Sequence, residues 1–417
     1  MNSPLALLGG PPAVHAPGPH FTWPPVSETT ESAVAAQLRT AVSVYDRSGV
    51  IAELEDALAG YFGARHALLT SSGTAALFDL YAACGIRPGD EVICPAYTFF
   101  ATVTPLLHLG AIPVLADCDH NGNLDPSDAA SKVTRRTTAI MVTHMWGVPA
   151  NTTALRKLAD SRGLLLLEDG SHAHGASNGQ QKAGTAGHGS AFSMNGPKPL
   201  SAGEGGFLLT SDDDTYYRAL LHGQYNKRCR SEIPPGHPMR PYAVTGTGLK
   251  HRIHPLAAAI ALDQLGQLDG YLDGRAKVAA CLADQLGDIP GIRVPRHPTA
   301  LRPSWYGLIL RYQPEELGGL PLSRFYQALL AEGCAEADRP GSACPLNLLP
   351  LFQDPAPILP ACEGKLAYQP GDFPRAEAFH AGAIKLPVWH RDEDIPLAGQ
   401  YAEAFRKVSE HHRDLLA

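Results

Sequence analysis

The chain has 417 residues, of which 44% are hydrophobic and 18% charged, and its formal net charge is −7 at pH 7. This length predicts a large domain with a smaller one, and the composition excludes wholesale disorder. The acidic balance and the lack of a Lys/Arg block argue against nucleic acid as a partner, and the longest apolar runs are too short to span a membrane.

The eight cysteines are scattered, and none forms a C-x-x-C pair or stands at the spacing of metal ligands. We therefore expect no metal site, and the simplest location is the reducing cytoplasm. The first residues, MNSPLALLGGPP, lack the basic region and the sustained apolar stretch of a secretory signal, which agrees with that location.

Residues 1–30 are rich in Pro and Gly and are predicted to run over the surface as an arm. Apolar residues then recur at helical spacing over 31–43 and 50–62. From about residue 65, short apolar runs alternate with helix-like stretches, which is typical of a parallel sheet covered on both faces. Strands are predicted at 66–70, 91–94, 112–115, 138–143, 163–167, 190–193 and 206–210, with helices that begin at Gly73 and Thr98.

The last third of the chain predicts a smaller α+β domain. Helices are expected at 256–265 and 271–286, and a small sheet at 290–296, 306–312 and 385–388. Residues 335–375 contain many prolines and little periodicity, so we predict long loops of the kind that often carry function. The predicted division is an arm at 1–30, a large domain at 31–262 and a small domain at 263–417.

Ser72, Gly73 and Thr74 stand between a predicted strand and the helix that follows it. A helix N-terminus offers unpaired N–H groups and a partial positive charge, and glycine lets an anion approach closely, so this turn suits a phosphate. When such a turn stands alone, a simple Ser/Thr helix cap is the commoner explanation.

Two further positions carry candidate chemistry. A buried run ends in Glu168 and Asp169, and strand alternation places Asp169 over the strand end, where ligands of open parallel sheets bind. Lys198 lies between two prolines in a rigid loop and could form a Schiff base, although most single lysines have no such role. An anion site, a carboxylate and a lysine in this order match pyridoxal phosphate (PLP), which has a phosphate, a pyridine nitrogen and an aldehyde.

With these motifs the chain resembles the DegT/DnrJ/EryC1/StrS aminotransferases, which aminate keto-sugars and cyclitols. The resemblance covers nearly the whole chain and rests on LGGPPA at 8–13, SGTAAL at 72–77, PAYTFFAT at 95–102, EDGSHAHGA at 168–176, the loop at 193–206 and KLP at 385–387. It implies an α/β fold of fold-type I: a large domain with a mostly parallel seven-stranded sheet between helices, and a smaller α+β C-terminal domain.

The resemblance also implies the roles of single residues. Lys198 would hold PLP as a Schiff base and move protons, and Asp169 would keep the pyridine nitrogen protonated. Phe99 would stack on the cofactor ring and His172 would contact its hydroxyl group. The predicted phosphate ligands are Ser72, Gly73, Thr74, Ser193 and Lys250.

The implied partners are an amino-acid donor, glutamate or glutamine, and a keto-sugar or ketocyclitol acceptor in amino-sugar, polysaccharide or antibiotic biosynthesis. A homodimer with shared active sites is implied too, in which Lys250 would reach the neighbour's phosphate at a position where the family commonly has Asn. The prolines on either side of Lys198 are a second departure, because many members have Thr or Gly before the lysine and Asn after it.

Two alternatives stay open. A PLP-dependent sugar dehydratase or eliminase could share the fold, although the sugar 3-dehydrases usually carry His in place of the lysine, whereas this chain has Lys198. A non-catalytic regulatory protein that binds PLP or a nucleotide sugar belongs to another class. Bleaching of a yellow absorbance by an amino donor separates an aminotransferase from such a protein.

A minor hypothesis concerns the segment HGQYNKRCR at 222–230. A solvated loop is the better explanation of its charges. Charge density alone suggests that Lys227 and Arg228 meet an anionic part of the substrate, such as a nucleotide diphosphate.

Overall fold

The computed structural model describes residues 3–416, and a seven-stranded sheet lies at its centre. Its strands, numbered in chain order, are β1 (His66–Thr70), β2 (Glu91–Pro95), β3 (Ile112–Ala116), β4 (Thr137–Thr143), β5 (Leu165–Asp169), β6 (Gly189–Ser193) and β7 (Gly206–Thr210). They lie in the order β1-β7-β6-β5-β4-β2-β3. Strand β7 is antiparallel to both neighbours and the other pairs are parallel, which confirms the predicted mostly parallel sheet.

Helices cover this sheet, and its strands are therefore buried almost throughout. Every residue of β2 and β7 is buried, which is why these strands are apolar runs without alternation. The helix Gly73–Ala83 packs against β6 and β7. Within residues 3–416 the α-helices are Glu28–Thr40, Gly49–Phe62, Gly73–Ala83, Thr104–His108, Pro126–Ser131, Thr152–Arg162, Asp213–Gly223, Lys227–Glu232, Pro255–Leu286, Leu322–Ala331, Pro350–Gln353, Pro374–Ala381 and Ile395–Glu410.

The helix predicted to begin at Thr98 is wrong. Tyr97–Phe99 is a short strand that pairs with Ala343–Pro345, and the helix begins only at Thr104. Pro105 occupies its first turn, a position that proline favours because its fixed φ suits a helix start. The partner strand lies in the predicted loop region 335–375, so a long-range pairing sets the conformation here.

One helix, Pro255–Leu286, replaces the two that were predicted. The gap between the two predicted helices contains Gly266 and Gly270, and each glycine costs a helix about 1 kcal/mol relative to alanine. Leu268 and Leu272 are buried on the same stretch, and their burial offsets that cost. The helix runs past residue 262, and the division of the chain into domains stays a prediction.

The C-terminal part contains an antiparallel sheet of β8 (Ile292–Arg293), β9 (Leu308–Tyr312) and β10 (Ala383–Leu386), close to the predicted positions. A third small sheet joins Ser177–Asn178, Gln181–Lys182 and Leu301–Arg302. The N-terminal arm is less superficial than predicted, because Leu5 and Val14 are buried in the core that surrounds β8–β10.

Within residues 3–416, no helix combines the length and the apolar character that crossing a bilayer requires. The eight cysteines carry free thiols.

Candidate active site

A cavity of about 400 Å³ opens beyond the carboxyl ends of the parallel strands, where Asp169 ends β5. This is the edge at which open parallel sheets bind ligands. Eight predicted site residues line it: Ser72, Gly73, Thr74, Phe99, Asp169, His172, Ser193 and Lys198. Lys250 is exposed and does not line this cavity, so a role for it in a neighbouring subunit stays a prediction.

One end of the cavity is the N-terminus of the helix Gly73–Ala83. The Ser72 hydroxyl accepts a hydrogen bond from the Ala75 N–H at 3.1 Å and caps the helix. A Cβ atom on Gly73 would lie 2.5 Å from Cβ of Ser193, so glycine is needed for this close approach to β6. The first-turn N–H groups and the dipole of the helix are suited to bind an anion such as phosphate.

Asp169 lies on the floor of the cavity and is only 4% exposed. The Thr102 hydroxyl donates a hydrogen bond to Oδ2 at 2.7 Å, and the Ser171 N–H donates one to Oδ1 at 3.0 Å. The Thr98 hydroxyl lies 2.9 Å from that of Thr102 and continues the network. Each carboxylate oxygen therefore has a donor that fixes its direction.

Lys198 follows β6 in a loop whose backbone is tied down. Its N–H donates to the Asn195 carbonyl at 2.9 Å, and the Trp23 indole N–H donates to its carbonyl at 2.8 Å. Nζ lies 4.7 Å from the centre of the Tyr306 ring. Burial lowers the pKa of Lys198 to about 8, with Asp169 opposing the shift and Lys385 adding to it. Near neutral pH a larger fraction of this amine is therefore unprotonated and nucleophilic than of a lysine with an ordinary pKa.

His172 is buried between aromatic rings. The Tyr306 ring stacks on it with 4.1 Å between ring centres, and the Trp146 ring lies at 5.7 Å. Burial, with Lys198 and Lys385 nearby, lowers the pKa of His172 well below its usual value, so the ring is neutral. The Trp146 N–H donates to Nδ1 at 3.4 Å, which leaves the proton on Nε2 for donation to a ligand.

The sequence did not identify five residues that belong to this site. Thr102, Trp146, Tyr306, Asp338 and Lys385 all line the cavity, although two of them stood inside quoted motifs. Trp146 has a positive φ of 57°, an uncommon conformation that is often found near functional sites. Tyr306 and Asp338 lie in stretches without a motif, and only the fold brings them to the cavity.

The pairing of Lys227 with Arg228 as substrate ligands is wrong. Arg228 is buried, and its guanidinium donates to Glu55 and to Glu232, both at 2.7 Å. Lys227 is exposed and lines a separate cavity with Tyr45, Tyr225 and Arg252. Charge density could not distinguish these neighbours, because burial depends on which side of a short helix each occupies.

A separate polar cluster lies beside the start of the helix Gly73–Ala83. The Nδ1 atoms of His222 and His251 lie 2.7 and 2.8 Å from the same oxygen of buried Asp79. The hydrogen bond that His251 donates to Asp79 raises the pKa of His251. The carbonyl of His251 accepts the Ser71 N–H at 2.6 Å, so the cluster holds the segment beside the helix start. Two imidazoles that donate to one carboxylate oxygen form a hydrogen-bond network.

The fold and this set of side chains fit PLP, since the helix start would suit its phosphate, the buried carboxylate its pyridine nitrogen and the lysine its aldehyde. They define a fold-type I PLP enzyme. The model of the DegT/DnrJ/EryC1/StrS aminotransferase family matches residues 28–395, and the chain belongs to this family. It is a PLP-dependent aminotransferase, as the sequence predicted.

Relatives with known names agree. The chain is 31% identical over 427 residues to the L-glutamine:scyllo-inosose aminotransferase of Streptomyces griseus, covering 100% of each chain. It is 33% identical over 444 residues to the L-glutamine:2-deoxy-scyllo-inosose aminotransferase of Streptomyces kanamyceticus, covering 100% of this chain and 99% of the relative. Among solved structures, DesI in the presence of its TDP-sugar product is similar with a TM-score of 0.77 and 28% identity, covering 99% and 100% of the two chains.

Proposed function

We propose that this aminotransferase moves the amino group of L-glutamine to a ketocyclitol of the inosose type. Relatives that match over their full length carry this activity in their names. The observation that carries the proposal is the juxtaposition, in one cavity, of Lys198, buried Asp169 and the capped helix start at Ser72. A Schiff-base lysine opposite a fixed carboxylate is the minimum that amino-group transfer through PLP requires.

The residues divide the work as follows. The N–H groups that follow Ser72 and Gly73, with the hydroxyls of Thr74 and Ser193, hold the phosphate. Asp169 would keep the pyridine nitrogen of PLP protonated, Phe99 would pack against the ring, and neutral His172 would donate from Nε2 to the ring hydroxyl. When bound, PLP supplies an electron sink for the carbon that loses its proton. The Lys198 amine, whose pKa burial lowers to about 8, would move a proton between the two carbons on either side of the transferred nitrogen.

A nucleotide-linked keto-sugar is the second candidate acceptor. Similarity to DesI favours it, and so does the separate cavity of about 320 Å³ that Tyr45, Tyr225, Lys227 and Arg252 line. The side chains of Lys227 and Arg252 both lie 5.3 Å from the centre of the Tyr45 ring, and a cation beside an aromatic ring suits a nucleotide diphosphate.

We also propose that the enzyme works in the cytoplasm as a homodimer, in which exposed Lys250 reaches the phosphate of the neighbouring subunit. The eight free thiols agree with a reducing compartment.

Two experiments test these assignments. Borohydride reduction of the holoenzyme should leave the phosphopyridoxyl label on the peptide that contains Lys198, and a label elsewhere would refute the assignment. The pyridoxamine form should then be mixed with a panel of ketocyclitols and nucleotide-linked keto-sugars while the return of the yellow absorbance is followed. A response to inososes supports the first candidate, and a response restricted to nucleotide-linked sugars supports the second.

A further inference from the structure

Besides Lys198, the active-site cavity is lined by a second lysine, Lys385. It lies on β10, and its stem runs across Gly307, where an added Cβ would lie 3.1 Å from Cγ of the lysine. Nζ lies 5.6 Å from the centre of the Tyr306 ring and 5.9 Å from that of Trp146. The side chain is 25% exposed, so the ammonium group is open to a ligand in the cavity.

The structure holds Lys385 firmly in this place. Its N–H donates to the carbonyl of Asp338 at 2.8 Å, and its own carbonyl accepts the Asp338 N–H at 2.9 Å. The Asp338 carboxylate lies 3.8 Å from Nζ, is itself 55% exposed and is therefore easily exchanged for another anion. Because the backbone of Lys385 is hydrogen-bonded in a strand, the point from which its side chain extends is fixed.

An amino-acid donor brings a carboxylate into this cavity. Its amino nitrogen and carboxylate carbon are only about 2.5 Å apart, so an anion must rest close to the reacting centre. Among the described residues that line the cavity, Lys198 and Lys385 are the lysines, and arginine is absent. Lys198 is committed to the cofactor. Both ammonium groups lie beside the same Tyr306 ring, at 4.7 and 5.6 Å from its centre.

From this geometry we infer that Lys385 binds the α-carboxylate of the amino donor and thereby orients its amino group toward the position of Lys198. This inference rests on the proposed function, because it needs an amino-acid donor. It assigns to Lys385 the selection of donors, because a carboxylate forms an ion pair with an ammonium group and the uncharged ring of a ketocyclitol does not. Tyr306 and Trp146 then form the wall along which the donor lies.

The test separates the two half-reactions of the holoenzyme. In the donor half-reaction, Lys385→Met should raise the L-glutamine concentration that gives half-maximal bleaching by roughly tenfold or more, as loss of a charge-assisted hydrogen bond requires. Lys385→Arg should recover part of this loss. The acceptor half-reaction, started from the pyridoxamine form, should keep its dependence on acceptor concentration. L-glutaminamide, whose α-carboxylate is an uncharged amide, should bleach the wild type and Lys385→Met at equal concentrations.

Lys277→Met is the matched control, because Lys277 also pairs with an aspartate, Asp392 at 3.2 Å, but lies outside the cavity. Its donor response should match that of the wild type. An unchanged response of Lys385→Met to glutamine overturns the inference, as does an equal loss with glutaminamide or a loss confined to the acceptor half-reaction. A wild type that no amino acid bleaches refutes the proposed function itself, which is a separate result.

Discussion

At the scale of single residues, Asp169 shows how neighbouring hydrogen-bond donors fix the direction of a buried carboxylate. Its two oxygens accept hydrogen bonds from Thr102 and Ser171, and Thr98 extends this network away from the cavity. The sequence placed Asp169 at the strand end from alternation alone. It gave Thr102 no role, although this residue stands in a quoted motif, because the turn that brings its hydroxyl to the carboxylate follows a strand that was predicted to be helical.

We predict that Asp169→Asn keeps part of its PLP and loses most of its turnover. The amide has the size of the carboxylate but cannot hold a proton on the pyridine nitrogen, so kcat should fall by roughly 100-fold or more. Absorbance measures the bound cofactor and steady-state kinetics the turnover. Thr102→Ser keeps the hydroxyl and should stay close to wild type, and near-normal kcat in Asp169→Asn would mean that another carboxylate faces the nitrogen.

The pKa of Lys198 makes a pH-dependent prediction. A lysine with an ordinary pKa would remain protonated until the pH exceeded 10, whereas burial lowers this pKa to about 8. Only the neutral amine attacks the aldehyde, so the rate of PLP uptake by the apoenzyme should rise with pH up to about 8 and level off above it. Stopped-flow absorbance at a series of pH values measures this rate. A rise that continues beyond pH 10 would contradict the burial of the amine.

At the scale of elements, the sequence predicted what depends on local pattern. All seven strands of the main sheet were found within about two residues, because buried parallel strands are short apolar runs between turns. The short strand Tyr97–Phe99 was missed since its partner lies more than 240 residues away. The helix Pro255–Leu286 was divided in two because glycine propensity is local, while the burial that opposes it is tertiary.

Gly73→Ala tests the close contact between the start of the helix Gly73–Ala83 and β6. We propose that the phosphate site depends on this contact. The new Cβ would lie 2.5 Å from Cβ and 2.8 Å from Cα of Ser193, so helix and strand must move apart. We expect PLP affinity to fall roughly tenfold or more, measured by absorbance titration of the apoenzyme. Gly60→Ala is the control. Gly60 lies in the helix Gly49–Phe62, and its added Cβ would meet nothing within 4 Å beyond its neighbours in that helix. Equal affinities in the two variants would show that the close approach is unimportant.

At the scale of the whole molecule, buried charged side chains link helices and a strand that lie far apart in the sequence. Arg228 donates to Glu55 of the helix Gly49–Phe62 and to the hydroxyl of Tyr216 in the helix Asp213–Gly223. Glu55 also accepts the Leu69 N–H of β1. In the sequence, Arg228 is only one of several basic residues in the segment 222–230. Its structural role emerges only when three helices and a strand meet.

Arg228→Leu should therefore destabilise the enzyme by about 3 kcal/mol or more, because it leaves Glu55 buried without its closest countercharge. Chemical denaturation of the holoenzyme measures the loss. The adjacent Lys227→Ala replaces an exposed side chain and should change the free energy of unfolding by only about 0.5 kcal/mol. If the two variants were equally stable, the buried network would carry no net stabilisation.

The indole of Trp23 joins the arm to the backbone of Lys198 across 175 positions of sequence. The same ring lies 4.1 Å from the guanidinium of Arg275, in the long helix that continues into the C-terminal part. The N-terminal arm thus helps to hold the loop that contains Lys198 in place. We expect that shortening the arm, or attaching a fusion partner to it, would alter cofactor binding, although none of the described residues before position 24 lines the cavity.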